Sequence, residues 1–205
     1  MKKVAFILLS IVLFTACNNV KKEEEKVEEV AANTTEVKGE LPELSIYNLP
    51  STWTTQNHED IQLEDLRGNV LVMVMIYTSC KAACPRLIAD MRNIEKQVPE
   101  EYLDKTKFIM VSIDPETDTP QRLNAFAREN EMEDNHWLFL RGTPEDTREF
   151  ATVLAVSYKK ISPIDFSHSN IISVFDEEGV LVHQQEGLGV DNTETVEAIK
   201  TEVSN

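Results

Sequence analysis

The chain has 205 residues, with 36 Asp and Glu against 20 Lys and Arg, for a formal net charge of −16. That sign excludes binding to nucleic acid through a basic face. It suits a soluble extracytoplasmic surface, and could draw a basic partner or a cation.

Met1-Lys2-Lys3 is a basic start, and residues 4–14 form an apolar stretch too short to span a bilayer but of the right length for a signal peptide. Thr15-Ala16-Cys17 follows. Small residues before a cysteine resemble a bacterial lipobox, in which Cys17 becomes the lipidated first residue of the mature protein. Phe14 stands where that pattern prefers Leu, Val or Ile. The competing reading is an ordinary secretory signal with a chance cysteine. Removing Lys2 and Lys3 with the leader takes the charge from −16 to −18. Residues 18–40 are charged, lack aromatics and cannot bury a core, so they read as a flexible tether. The expected organisation is a lipoprotein signal peptide over 1–16, a lipidated Cys17 and acidic tether over 17–40, and one folded domain over 41–205.

Within the domain, residues 44–66 suggest an N-terminal hairpin with strands near 52–55 and 60–63. Residues 70–77 are apolar on both faces, as in a strand covered by helices. Pro85 suits a first helical turn, and Leu87, Ile88, Met91, Ile94 and Val98 recur at helical spacing. Residues 106–113 read as a second buried strand. Thr119-Pro120 opens a helix, residues 137–140 a short strand, and Thr143-Pro144-Glu145-Asp146 a capped helix. Residues 171–175 and 180–183 read as a hairpin, and Asp191-Asn192 as the cap of a closing helix. Alternating strands and helices, then a hairpin and a last helix, describe an α/β, thioredoxin-like fold: a central mixed sheet flanked by helices, with an N-terminal β-hairpin.

The chemistry concentrates at the end of the 70–77 strand, in Ser79-Cys80-Lys81-Ala82-Ala83-Cys84-Pro85. Two thiols stand at a strand-to-helix junction, where α/β sheets place their sites. The helix start and Lys81 are expected to favour thiolate. The spacing is one residue wider than the Cys-x-x-Cys of thioredoxin-type redox motifs. Once Cys17 is lipidated, Cys80 and Cys84 are the remaining pair, and a plain structural disulfide is the competing reading. Thioredoxin-type folds carry a cis-proline immediately before the strand that corresponds to 171–175. Here His168 occupies that neighbourhood, and the nearest proline, Pro163, lies upstream. Two thiolates and an imidazole suit Cu(I), and with a weak extra ligand Cu(II). Zinc would want a fourth strong ligand. His58, His136 and His183 are not aimed at the junction by this topology. Met73, Met75 and Met110 are soft donors but lie inside buried strands, so they read as core.

The chain resembles the Sco/SenC family of copper-binding, thioredoxin-like proteins over roughly 44–203. The resemblance rests on Cys80-x-x-x-Cys84-Pro85, on the string Val111-Ser112-Ile113-Asp114-Pro115-Glu116-Thr117-Asp118-Thr119-Pro120, and on His168-Ser169 followed by a strand and the Asp176…Gly179 turn. It implies a membrane-tethered, periplasm-facing metallochaperone holding Cu(I) or Cu(II) through Cys80, Cys84 and His168. Its expected partner is cytochrome c oxidase subunit II or another extracytoplasmic copper protein. The family usually has Pro where this chain has Lys81. Asp114 and Asp118 are candidate weak ligands or orienting groups for His168, and Asp118 reads rather as a cap before Thr119-Pro120. The alternative function is a membrane-anchored thiol–disulfide oxidoreductase that uses Cys80 and Cys84 to keep partner cysteines reduced; a peroxidase or a sensor of copper or redox state are further readings.

Overall fold

Strand β3 (Val70–Ile76) is buried at every position, and the rest of the domain is arranged around it. A strand with Val, Leu, Met and Ile on both faces cannot lie at a sheet edge or over water. It pairs in parallel with β4 (Thr106–Ser112), register Val70 to Thr106 through Ile76 to Ser112, and antiparallel with β8 (Ile171–Phe175). With β1 (Thr52–Thr55), β2 (Asp60–Gln62), β5 (Trp137–Arg141) and β9 (Leu181–Glu186) they form one mixed sheet, in the order β2-β1-β5-β4-β3-β8-β9. The computed structural model describes residues 39–205 apart from Ala82. The expected leader, Cys17 and nearly all of the tether lie outside the described residues.

Helices flank the sheet. Helix α1 (Cys84–Gln97) carries Pro85 in its first turn and buries Leu87, Ile88, Met91 and Ile94. A short α2 (Glu100–Leu103) precedes β4. Helix α3 (Pro120–Glu129) starts where the Thr119 hydroxyl accepts from the Arg122 amide at 3.3 Å. Helix α4 (Pro144–Val153) begins with the expected capping box between Thr143 and Asp146. Helix α5 (Thr193–Val203) packs on α1, β3 and β9. The architecture is the thioredoxin-like mixed sheet expected from the sequence, and the N-terminal hairpin is β1–β2.

Two local expectations need correction. Asn192 does not cap α5 with its side chain. It accepts from Gln185 Nε2 at 2.7 Å, while Asp191 takes the Thr193 amide at 3.0 Å. The segment around His168 is also more than a lead-in to a strand. Residues Tyr158–Ser162 (β6) and Asp165–His168 (β7) form a separate two-stranded sheet. Exposure of all five residues of β6 to some degree left no apolar alternation to read.

Candidate metal centre

The site grows from the carboxyl ends of β3 and β4. Strand β3 ends at Ile76, and the chain turns so that the Cys80 amide bonds back to the Tyr77 carbonyl at 3.2 Å. Four residues after Cys80, α1 begins at Cys84, whose own amide donates to Cys80 Sγ at 3.3 Å. The first free N–H of the helix is thus aimed at the other cysteine, and both sulfurs come to one side of the junction. Cys84 is 1% exposed and Cys80 is partly exposed.

The β6–β7 sheet brings the third group. Tyr77, the residue after β3, donates its hydroxyl to the Asp165 carboxylate, and its ring meets Phe166 at 5.1 Å and His168 edge-on at 5.8 Å. The tyrosine therefore docks β7 against the cysteine junction and sets the imidazole over it. His168 Nε2 stands 3.9 Å from Cys84 Sγ. Its Nδ1 lies 2.8 Å from the Ser169 carbonyl. A carbonyl can only accept, so Nδ1 carries the proton and the Nε2 lone pair faces the sulfurs. Ligand atoms of Cys80, Cys84 and His168 all fall within 4.8 Å of one another.

Burial favours the neutral forms of Cys84 and His168. Burial pushes the Cys84 thiol well above the ordinary range, with the hydrogen bond to Cys80 adding to the rise. This corrects the expectation that the helix start and Lys81 lower the thiol pKa: for Cys84, desolvation outweighs the dipole. Burial likewise lowers the His168 pKa, against the pull of the Ser169 carbonyl and of Asp165. The imidazole is then neutral and available as a ligand at neutral pH. Lys81 is exposed, and lines a depression of about 370 Å³ with Ser79, Ser162, Ile164 and Asp165. Two soft sulfurs and one oriented imidazole, with no fourth strong donor gathered beside them among the described residues, fit Cu(I) or Cu(II) better than zinc.

The other sequence candidates fall elsewhere. His58 sits in the β1–β2 turn with φ of 67°, and His183 pairs with Thr195 at 3.0 Å. Met73, Met75 and Met110 are core, each at most 1% exposed. Asp114 is 3% exposed, with one carboxylate oxygen lacking a hydrogen-bond partner among the described residues; the group that orients His168 is the Ser169 carbonyl. His136 joins Glu95 and Asp134 in a second cluster, remote in sequence from the cysteine junction. Asp118 was expected as a cap. Thr119 caps α3 instead, and Asp118, fully buried, bonds Thr78 and Ser112 beneath the cysteine loop. Sequence reasoning missed Tyr77, Thr78 and Arg122. Their one legible signal was position, within three residues of Cys80 or one turn into the helix after Asp118.

The profile of the SCO1/SenC family matches residues 42–204. The SCO1 protein homolog of Bacillus subtilis is 34% identical over 103 residues, which is 50% of this chain and 53% of that protein, so the match spans about half the length of that curated relative. Among solved structures, a SCO1/SenC family lipoprotein from Bacillus anthracis is similar with a TM-score of 0.68 at 25% identity, over 76% of this chain and 95% of that one. ScoI of Bradyrhizobium japonicum, solved with copper bound, is similar with a TM-score of 0.64 at 25% identity, over 75% of this chain and 98% of that one. With a family profile running through nearly all of the described domain, and with both cysteines and the histidine of the family pattern gathered at one junction, the chain belongs to the SCO1/SenC family.

Proposed function

We propose that this domain is a copper metallochaperone that helps to assemble the copper site of cytochrome c oxidase subunit II, carrying its cargo between Cys80, Cys84 and His168. The observation that carries the reading is the His168 imidazole, protonated at Nδ1 by its bond to Ser169 and presenting Nε2 3.9 Å from the Cys84 sulfur. The copper-bound state of the similar Bradyrhizobium japonicum ScoI supports it. Copper as cargo enters through the partly exposed Cys80 and is shielded by the buried Cys84. The same two sulfurs hold metal as thiolates or close as a disulfide, never both.

The partial exposure of Cys80 favours one second reading, a thiol–disulfide oxidoreductase. Cys80 would attack a partner disulfide, Cys84 would resolve the mixed disulfide, and the partner would leave with two thiols. The two readings separate in cells that lack the protein. His168→Ala put back at limiting copper leaves both cysteines in place, so a reductase restores oxidase activity and a metallochaperone does not.

The domain is held outside the cytoplasmic membrane by lipid on Cys17. The support is the 4–14 apolar stretch with its Thr15-Ala16-Cys17 junction, and the lipoprotein nature of the similar Bacillus anthracis protein. No helix among the described residues is long and apolar enough to cross a membrane. Mass spectrometry of the native protein is expected to show acyl groups on Cys17; an unmodified mature N-terminus elsewhere refutes the anchor.

A further inference from the structure

Cys84 is fixed by the helix that it starts and by its burial, whereas Cys80 rides on a turn. That turn is gripped from the neighbouring strand. Asp118 has no exposure to solvent. One of its carboxylate oxygens accepts from the Thr78 hydroxyl at 2.5 Å, and the other from the Thr78 amide at 3.2 Å and the Ser112 hydroxyl at 2.7 Å. Ser112 in turn accepts from the Asp114 amide at 3.0 Å. Arg122 closes the assembly from outside. Its Nε donates to the Thr78 hydroxyl at 2.7 Å, its Nη2 to the Ser79 hydroxyl at 2.9 Å, and Nε lies 3.8 Å from Asp118. Both residues before Cys80 are therefore held by side chains from the β4–α3 junction and the first turn of α3.

Burying a carboxylate is costly unless its lone pairs are satisfied. Helix capping does not require this one, because Thr119 already caps α3. Each donor that Asp118 collects comes instead from the cysteine loop or from the end of β4. A fully satisfied buried network of this kind holds its members in one arrangement. We propose that Asp118, with Arg122, is the positioning element for Cys80: it holds the thiol at metal-sharing distance from Cys84 and His168, and away from the sulfur–sulfur contact of about 2 Å that a disulfide needs. The inference rests on the metallochaperone reading and assigns the regulation of that same site.

The test uses the full-length protein in detergent. Thr78→Val removes the gripped hydroxyl and Thr78→Ser restores it; Asp118→Asn removes the charge at nearly constant shape. Three quantities are followed: Cu(II) affinity, the position of the sulfur-to-copper charge-transfer band, and the dithiol–disulfide ratio of Cys80 and Cys84 in a glutathione redox buffer. In that buffer, oxidised glutathione takes the two electrons and leaves as two thiols. Thr78→Val and Asp118→Asn are expected to weaken Cu(II) binding by about 10- to 100-fold, as loss of a supporting partner commonly does. They should also shift the band and raise the disulfide fraction, while Thr78→Ser stays close to the parent. Parent-like affinity, band and ratio in Thr78→Val overturn the inference, and so does an equal loss in Thr78→Val and Thr78→Ser. Should Asp118→Asn not fold, the two Thr78 variants decide. Absence of copper binding by the parent protein would sink the metallochaperone reading instead, and the dithiol–disulfide ratio would still judge the grip.

Discussion

Cys80, Cys84 and His168 in one place, and Glu95, Asp134 and His136 in another, each bring three metal-ligating atoms within 4.8 Å, yet their donors are in opposite states. His168 spends its proton on the Ser169 carbonyl and keeps Nε2 free. His136 spends the proton of Nε2 on Glu95, at 2.6 Å, and the same Glu95 oxygen also takes the Trp137 indole N–H at 2.8 Å. The second cluster is a tether between α1 and the start of β5, with His136 Nε2 and Glu95 Oε1 already bonded to each other. Proximity of ligand types does not make a metal site. The lone pairs must also be left unspent and pointed at a common centre.

The comparison is broken most strongly at the first cluster. Cys84→Ala is expected to lower copper affinity by more than about 100-fold, beyond the range seen for supporting groups, whereas His136→Ala leaves it unchanged; isothermal titration of both variants checks this. His168→Ala comes next. It should weaken Cu(II) more than Cu(I), because two thiolates can satisfy a linear Cu(I) site. An unaltered Cu(II) charge-transfer band in that variant rules the imidazole out as a ligand.

A smaller and graded effect follows from pH. The Cys84 thiol is raised by burial, so in the metal-free site it keeps its proton through neutral pH, and copper uptake must release that proton. Apparent affinity should therefore fall with acidification by up to about tenfold per pH unit for each proton released. His168 is lowered and neutral near pH 7, so it adds to that slope only in acid. The sign for metal-free stability is opposite. A thiol raised on folding stabilises the protein below the ordinary thiol value of about 8.5, and the contribution is lost as pH rises past it. Thermal melts of the metal-free protein from pH 7 to 10 should show that decline.

The smallest effect sharpens the second cluster. Glu95→Ala leaves the Trp137 and His136 N–H groups without their acceptor, and should cost about 1–3 kcal/mol of stability. Urea unfolding measures that loss, and copper titration of the same variant should match the parent.

Much of this was legible along the chain. The buried strand before Cys80, the proline in the first turn of α1, the Thr143 capping box and the β8–β9 hairpin all announce themselves through local rules: apolar runs, capping residues and turn chemistry within a few positions. The two cysteines are close in sequence, so their pairing needed no fold. Topology carried His168 to them, as the residue standing where thioredoxin-type folds place a cis-proline, and the family resemblance agreed.

What tertiary structure alone decided is what the long-range contacts do. Where the β6–β7 sheet docks depends on Tyr77 reaching Asp165, 88 residues away. Thiol acidity turned on burial, which no spacing reveals; the helix start argued for a thiolate, and desolvation prevailed at Cys84. Asp118 looks like a cap from its neighbours Thr119 and Pro120. Its role under the cysteine loop exists only because parallel pairing of β3 with β4 brings Ile76 beside Ser112, and so Thr78 over the carboxylate. Local sequence determines elements because their hydrogen bonds close within a few residues. The partners of a buried charge are set by which strands become neighbours, and that belongs to the whole fold.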